Sequence, residues 1–241
     1  CAAISMVYLF ERMFLLHGES KYIDCMERTL YNGVISGMSM DGGRFFYPNP
    51  LSSDGKYKFN ADGNTTRQPW FGCACCPSNL CRFIPSVPGY LYGVKDNNIY
   101  VNLFAGNTST IKVNGKDVVL EETTEYPWNG DIKIAVKKSG VKNANLLVRI
   151  PGWVRNQVVP SDLYKYSDAE KPAYSVTVNG KAVEADLDAN KGYLPVKNIK
   201  KGDVIRIHFD MPVRTVVANG KVADDKGKVA VERGPLVYCA E

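Results

Sequence analysis

Apolar residues recur at helical spacing only near the start of the chain. Ile4, Val7, Tyr8, Phe10, Met13, Phe14 and Leu15 fall near one face of a helix, and His17-Gly18 closes the run. Ser20 is placed to cap a second helix, whose Ile23, Met26, Leu30, Val34 and Ile35 form one apolar stripe. Two helices cannot bury both stripes on each other, so they require a further packing surface. Asp41-Gly42, Asp54-Gly55 and Asp62-Gly63 then punctuate a stretch that reads as hairpin and loop around Phe45-Phe46-Tyr47. Pro77 and Ser78 can open a short helix running to Phe83.

From about residue 87 the period changes. Short β-rich runs follow one another: Ile99–Leu103, Ser109–Val113, Val118–Glu122, Asp131–Val136, Asn145–Ile150, Tyr174–Val178, Val204–Phe209, Val229–Val231 and Pro235–Tyr238. Asn-Gly pairs at 114, 129, 179 and 219 offer the positive-φ positions that tight hairpins use. Many short strands with regular turns and no helices between them predict β-sandwich architecture. The sequence thus predicts a mainly β chain with an N-terminal α segment. The expected division is a helical part over 1–86, a first β-sandwich from 87–152 with 213–241, and an inserted second small β domain over 153–212. The polar stretch 155–172, with Pro160 and Pro172, is the best linker or long loop.

Composition narrows the functional classes. The chain has 241 residues, 45% hydrophobic and 23% charged, which is ordinary for a globular protein. No apolar run is long enough to span a bilayer, so no membrane partner is expected. Thirty Lys and Arg against 25 Asp and Glu leave a net charge of +5. That excess is scattered rather than gathered into an arm or stripe, so no nucleic-acid partner is expected. Seven Cys, an odd number with Cys75 and Cys76 adjacent, argue against a disulfide framework. No signal peptide is visible, and the compartment stays open between cytoplasm and periplasm. The chain starts at Cys1 and runs straight into a helical pattern, as a piece of a longer protein would.

Gly72-Cys73-Ala74-Cys75-Cys76-Pro77 carries the chemistry. Thiolates are soft ligands that suit zinc, and adjacent Cys residues at a loop-to-helix junction can converge on one ion. Cys1 is the natural long-range third ligand. Buried apolar cysteines are the competing reading, and spacing alone does not separate the two. Cys25 and Cys239 read as core residues, and Cys81 as packed or facing away. Glu27 lies opposite the apolar stripe of its helix, where an exposed acid is the ordinary expectation. His17 and His208 are single histidines, read as without a nearby acid or nucleophile partner and hence as structural. Trp70, just before the cluster, suits either the floor of a sugar site or core packing.

Met13–Gly18, Tyr22-Ile23-Asp24, Glu27–Gly33, Phe46–Pro50, Cys73–Asn79, Asn145–Trp153 and Glu232–Tyr238, in that order, resemble the β-L-arabinofuranosidase family, glycoside hydrolase family 127. The resemblance spans nearly the whole chain and is weakest at about 155–200. It implies an (α/α)6 barrel, of which 1–86 would be the last part, followed by β-sandwich domains. It further implies a carbohydrate substrate and a Zn2+ ion held by three Cys and one Glu. Carried onto this sequence, Cys1, Cys75 and Cys76 would be metal ligands, Cys75 the nucleophile and Glu27 an acid lining the sugar pocket. The zinc Glu would stand two residues before Cys1, and the acid/base Glu also upstream. The implied protein is a retaining hydrolase of L-arabinofuranosides or related plant sugars, inactive as this chain alone. It would stay bound to the rest of its barrel or self-associate through exposed helices. A non-catalytic carbohydrate-binding β-sandwich with a structural zinc is the alternative.

Overall fold

A computed structural model describes residues 1–48, 50, 53–168 and 170–239. Asn49, within the Phe46–Pro50 motif, lies outside the described residues. The molecule is mostly β-sheet with its helices at the N-terminal end. Helix α1, Ala2–His17, ends at Gly18, whose φ of 65° is the left-handed cap that glycine adopts without strain. Helix α2, Ser20–Thr29, continues through a π-helical turn, Leu30–Val34. Ser20 does not cap α2 as the sequence predicts. It is the first helical residue, buried, and its Oγ accepts a hydrogen bond from Arg155. Helix α3 is Cys75–Phe83, beginning at the Cys pair itself. Among the described residues no helix is long and apolar enough to cross a membrane.

Fourteen strands follow among the described residues. Strands β1 (Tyr92–Lys95), β2 (Asn98–Val101), β6 (Asn145–Arg149) and β10 (Tyr193–Val196) form a four-stranded sheet in the order β1-β2-β6-β10. Strands β3 (Asn107–Val113), β4 (Lys116–Thr124), β5 (Asp131–Ser139), β11 (Val204–Phe209), β8 (Tyr174–Val178) and β9 (Lys181–Ala182) form a six-stranded sheet in that order. The inner faces of these two sheets share one core, with Ile99, Leu146 and Val148 meeting Leu120, Ile134, Ile205 and Phe209. Every second residue of β11 is buried, which puts Arg206 and His208 on the outer face. A third sheet, in the order β14-β13-β12-β7, joins β12 (Val213–Ala218) and β13 (Val229–Arg233) to β14 (Leu236–Tyr238) and β7 (Tyr164–Tyr166).

This grouping corrects the expected division of the β region. Strands β8 to β11 complete the sandwich begun by β1 to β6, because β11 hydrogen-bonds to β5 on one side and β8 on the other. Residues 153–212 are therefore not an inserted domain. The segment 213–238 does not join that sandwich but builds the third sheet, with β7 supplied from the stretch expected to be a linker. Two of the four Asn-Gly pairs, at 114 and 179, take positive φ at both residues and turn hairpins. Gly130 is needed for a different reason: a Cβ there would collide with the Phe209 carbonyl.

The four-stranded sheet has helices on its other face. Tyr193 belongs to the helical core of Ile4, Val7, Phe14, Ile23, Met26, Leu80 and Phe83. That core gives α1 and α2 the packing surface their stripes require. Between α2 and the sheets lies a buried polar seam. The Arg149 side chain, fully buried on β6, donates to Asp24 at 2.7 Å, to Glu27 at 2.5 Å and to the Asn102 carbonyl at 2.6 Å. Arg28 pairs with Glu232 of β13 through two bonds of 2.7 and 2.9 Å.

Candidate functional site

Cys1 sits at the start of α1, and its carbonyl accepts the Ser5 amide at 3.0 Å. Ile4 and Val7, one and two turns on, pack in the same core as Leu80 and Phe83 of α3. This packing brings the first turns of both helices together. Cys1 Sγ lies 3.8 Å from Cys76 Sγ, and Cys75 Sγ lies 3.9 Å from Cys76 Sγ. All three sulfurs fall within 4.8 Å of one another, the one metal-competent group among the described residues. A tetrahedral thiolate set with Zn–S of about 2.3 Å has sulfur–sulfur edges of about 3.8 Å. The thiols therefore fit a zinc ion in both chemistry and spacing. Cys75 and Cys76 also open α3, where the helix N-terminus favours the thiolate form.

Tyr47 is the site residue that the sequence reading did not single out. Phe45 bridges Met38 and Gln68 through its backbone, the Tyr47 amide donates to Asn60 Oδ1 at 2.7 Å, and the Tyr47 ring packs edge-on against Phe71. These contacts hold Tyr47 Oη 2.7 Å from Cys75 Sγ and 3.8 Å from Cys73 Sγ. The phenol's bond to Cys75 holds that thiol below its ordinary range, against desolvation and with help from Cys76. Burial pushes the Cys76 thiol the other way. The available signal was the Phe46–Pro50 motif, which was read for resemblance and not for chemistry.

Glu27 departs from expectation. It is 2% exposed, and its carboxylate accepts bonds from Arg149 and from the Tyr126 hydroxyl at 2.8 Å. Burial pushes its pKa up despite both partners. It is neither a solvent-facing acid nor among the groups gathered around the thiols. In the described structure it is locked into the α2–sheet seam, because Arg149 presents a buried guanidinium to that face of α2.

Other residues also fall out differently. Cys239 and Cys81 are exposed and Cys25 is half-buried, all as free thiols, so Cys239 is no core residue. Trp70 is 60% exposed, which removes core packing as its explanation. His208 does have acidic neighbours, since its ring nitrogens lie 2.7 Å from Asp131 and 3.0 Å from Asp210. The strand register that brings Asp131 opposite His208 is invisible in the linear sequence.

Comparison with known proteins identifies the family. The model for the GH127 catalytic domain of β-L-arabinofuranosidase matches residues 1–89 and that for the GH127 middle domain matches 98–211. The C-terminal domain of glycoside hydrolase family 127 matches 213–241, so the boundary at 212 coincides with the change of sheet. A non-reducing end β-L-arabinofuranosidase of Bifidobacterium longum subsp. longum is 34% identical over 251 residues, covering 100% of this chain and 35% of the relative. A solved GH127 β-arabinofuranosidase shares 58% identity with a TM-score of 0.92, over 100% of this chain and 36% of that one. The GH127 β-L-arabinofuranosidase of Geobacillus stearothermophilus T6 shares 37% identity with a TM-score of 0.83, over 99% of this chain and 36% of that one. The chain thus spans about a third of the length of these relatives. With three consecutive domain models of one family matched in order, the chain belongs to glycoside hydrolase family 127, the family of β-L-arabinofuranosidases.

Proposed function

We propose that this chain carries the thiolate half of a retaining glycosidase site, acting on L-arabinofuranosides or related plant sugars. The observation that carries the reading is the convergence of Cys1, Cys75 and Cys76 from two helices. Cys1, Cys75 and Cys76 would hold zinc, which keeps coordinated thiols deprotonated near neutral pH. In the proposed reaction Cys75 Sγ attacks the anomeric carbon as the bond to the leaving oxygen breaks. Water then displaces the sulfur from that carbon, releasing the sugar with retained configuration. Tyr47 orients Cys75 and stabilises its negative charge. Leaving-group departure calls for a proton donor, worth ~10²–10⁴-fold in rate. Among the described residues the hydrogen-bond partners of Cys75 Sγ are a phenol and a thiol. Following the family resemblance, we assign the donor, and a fourth metal ligand, to residues outside this sequence, and expect the chain alone not to turn over.

The Cys75→Ala variant of the full-length protein, assayed on an aryl β-L-arabinofuranoside, is expected to fall to background and to bind less zinc. Full activity in that variant overturns the assignment. The alternative, a non-catalytic sugar-binding module, would be favoured by a row of aromatics on one sheet face. The exposed Tyr57, Trp70 and Trp128 stand in loops instead, and Tyr174 at the start of β8.

A further inference from the structure

The outer face of the six-stranded sheet carries an open groove of about 370 Å³ across β4, β5, β11 and β8. Three strand intervals of about 4.8 Å make it about 14 Å wide. Its central row, read across the strands by register, is Thr123, Lys133, Arg206 and Thr177. Lys133 and Arg206 stand directly opposite each other on neighbouring strands, and both are exposed. Like charges in that position destabilise a sheet. Among the described residues neither makes an ion pair or a side-chain hydrogen bond. Elsewhere on this sheet Lys112 and Lys138 are matched with Asp117, and Lys137 with Glu121. Among the described residues Lys133 and Arg206 are thus two unmatched cations set side by side across neighbouring strands.

The next row is Asp131, His208 and Ser175, with the His208 ring held between Asp131 and Asp210. Two cations in one row of the groove and carboxylates beside the next do not suit a polyanion, which would meet Asp131 and Asp210. They suit a ligand carrying one carboxylate among many hydroxyls. We propose that this groove binds a carboxylated saccharide of uronate type. Its carboxylate would sit between Lys133 and Arg206, and its hydroxyls against Thr123, Thr177 and the Asp131–His208 pair. Arg206 supplies a planar fork and Lys133 a point charge, and cross-strand neighbours are close enough for both to reach one carboxylate. The proposal assigns a second saccharide contact to the middle domain and does not depend on the thiol site.

The test is calorimetric titration of the full-length protein with trigalacturonate, with neutral maltotriose and inorganic phosphate as comparisons. Trigalacturonate is expected to bind, and the double variant Lys133→Ala/Arg206→Ala to bind about tenfold or more weakly, the loss typical of a removed charge-assisted hydrogen bond. Activity of that variant on an aryl arabinofuranoside is expected to be unchanged. Because both side chains are exposed, its melting temperature should match or exceed the wild type. No binding of trigalacturonate, or equal binding by the double variant, overturns the proposal. Phosphate binding as tightly as trigalacturonate also overturns it, by reducing the groove to a simple anion patch.

Discussion

Arg149→Met removes the cation buried against Glu27 and leaves two carboxylates, Asp24 and Glu27, facing an apolar side chain. The guanidinium is fully buried and makes four hydrogen bonds to α2 and the Asn102 carbonyl. Breaking one side of a buried ion pair costs about 3–5 kcal/mol. For a chain of this size each kcal/mol moves the melting temperature by about 2–4 °C, so a drop of about 6–20 °C is expected. Glu27→Gln alone keeps Asp24 on Arg149 and should cost less. In the double variant the buried Glu27 charge has gone with its cation. Its loss should therefore be smaller than the sum of the single losses by about 1–3 kcal/mol. Acid should also narrow the Arg149→Met deficit. Burial already raises the Glu27 pKa, so an unpaired Glu27 penalises the fold at pH 8, and the penalty fades as pH falls through that raised value. Thermal denaturation of the four proteins at pH 8 and pH 5 measures all of these quantities. Strict additivity, or an Arg149→Met deficit that widens in acid, would refute a buried charge seam between α2 and the sheets.

Three further outcomes are expected. Glu122, buried and bonded to Tyr92 and the Ala105 amide, has its pKa pushed up to about 7 by desolvation. Since that value lies above the ordinary one, Glu122 should cost stability as pH rises from about 4.5 to 7, by up to about 3 kcal/mol. Glu122→Gln should flatten that slope in melting curves, and an unchanged slope would contradict the assignment. Gly130→Ala should cost about 1–3 kcal/mol through the clash with Phe209, and a melting temperature equal to wild type would show that the turn simply shifts. On α1, Met6, Leu9 and Leu16 are exposed, so the isolated chain should self-associate in light scattering and Leu9→Glu/Leu16→Glu should reduce it. A clean wild-type monomer at high concentration would count against that apolar face being a contact surface.

Local periodicity made most elements readable. The α2 stripe and the strict alternation of β11 each bury every residue the pattern selects except Ile35, because a single packed face decides those positions. Strands β1, β7, β9 and β10 are not legible in the sequence because they are two to four residues long, and Pro195 interrupts β10; β12, six residues long, is not read either. The domain grouping failed for a deeper reason. Whether β11 joins β5 or a later strand is settled by pairing across about 70 residues of chain, and hairpin chemistry says nothing about it.

The same distance separates what was readable at the site from what was not. Adjacent thiols announce themselves in sequence, and Cys1 joins them as a long-range ligand from the first helix, at the position where the family resemblance places a third Cys. Glu27 and Arg149 give no such sign, standing 122 positions apart, one on a helix and one on a strand whose neighbours alternate between two cores. Their pairing has a consequence for how the β domains serve the helices. The Cys75–Cys76 turn rests on a core shared with α1 and α2, and α2 is held to the sandwich by Arg149 and to the third sheet by Arg28 and Glu232. A buried ion pair is a poor source of net stability compared with apolar packing, but it tolerates little misalignment. Two such pairs on one helix therefore fix its rotation against both β units, and α2 in turn sets the surface on which α1 presents Cys1.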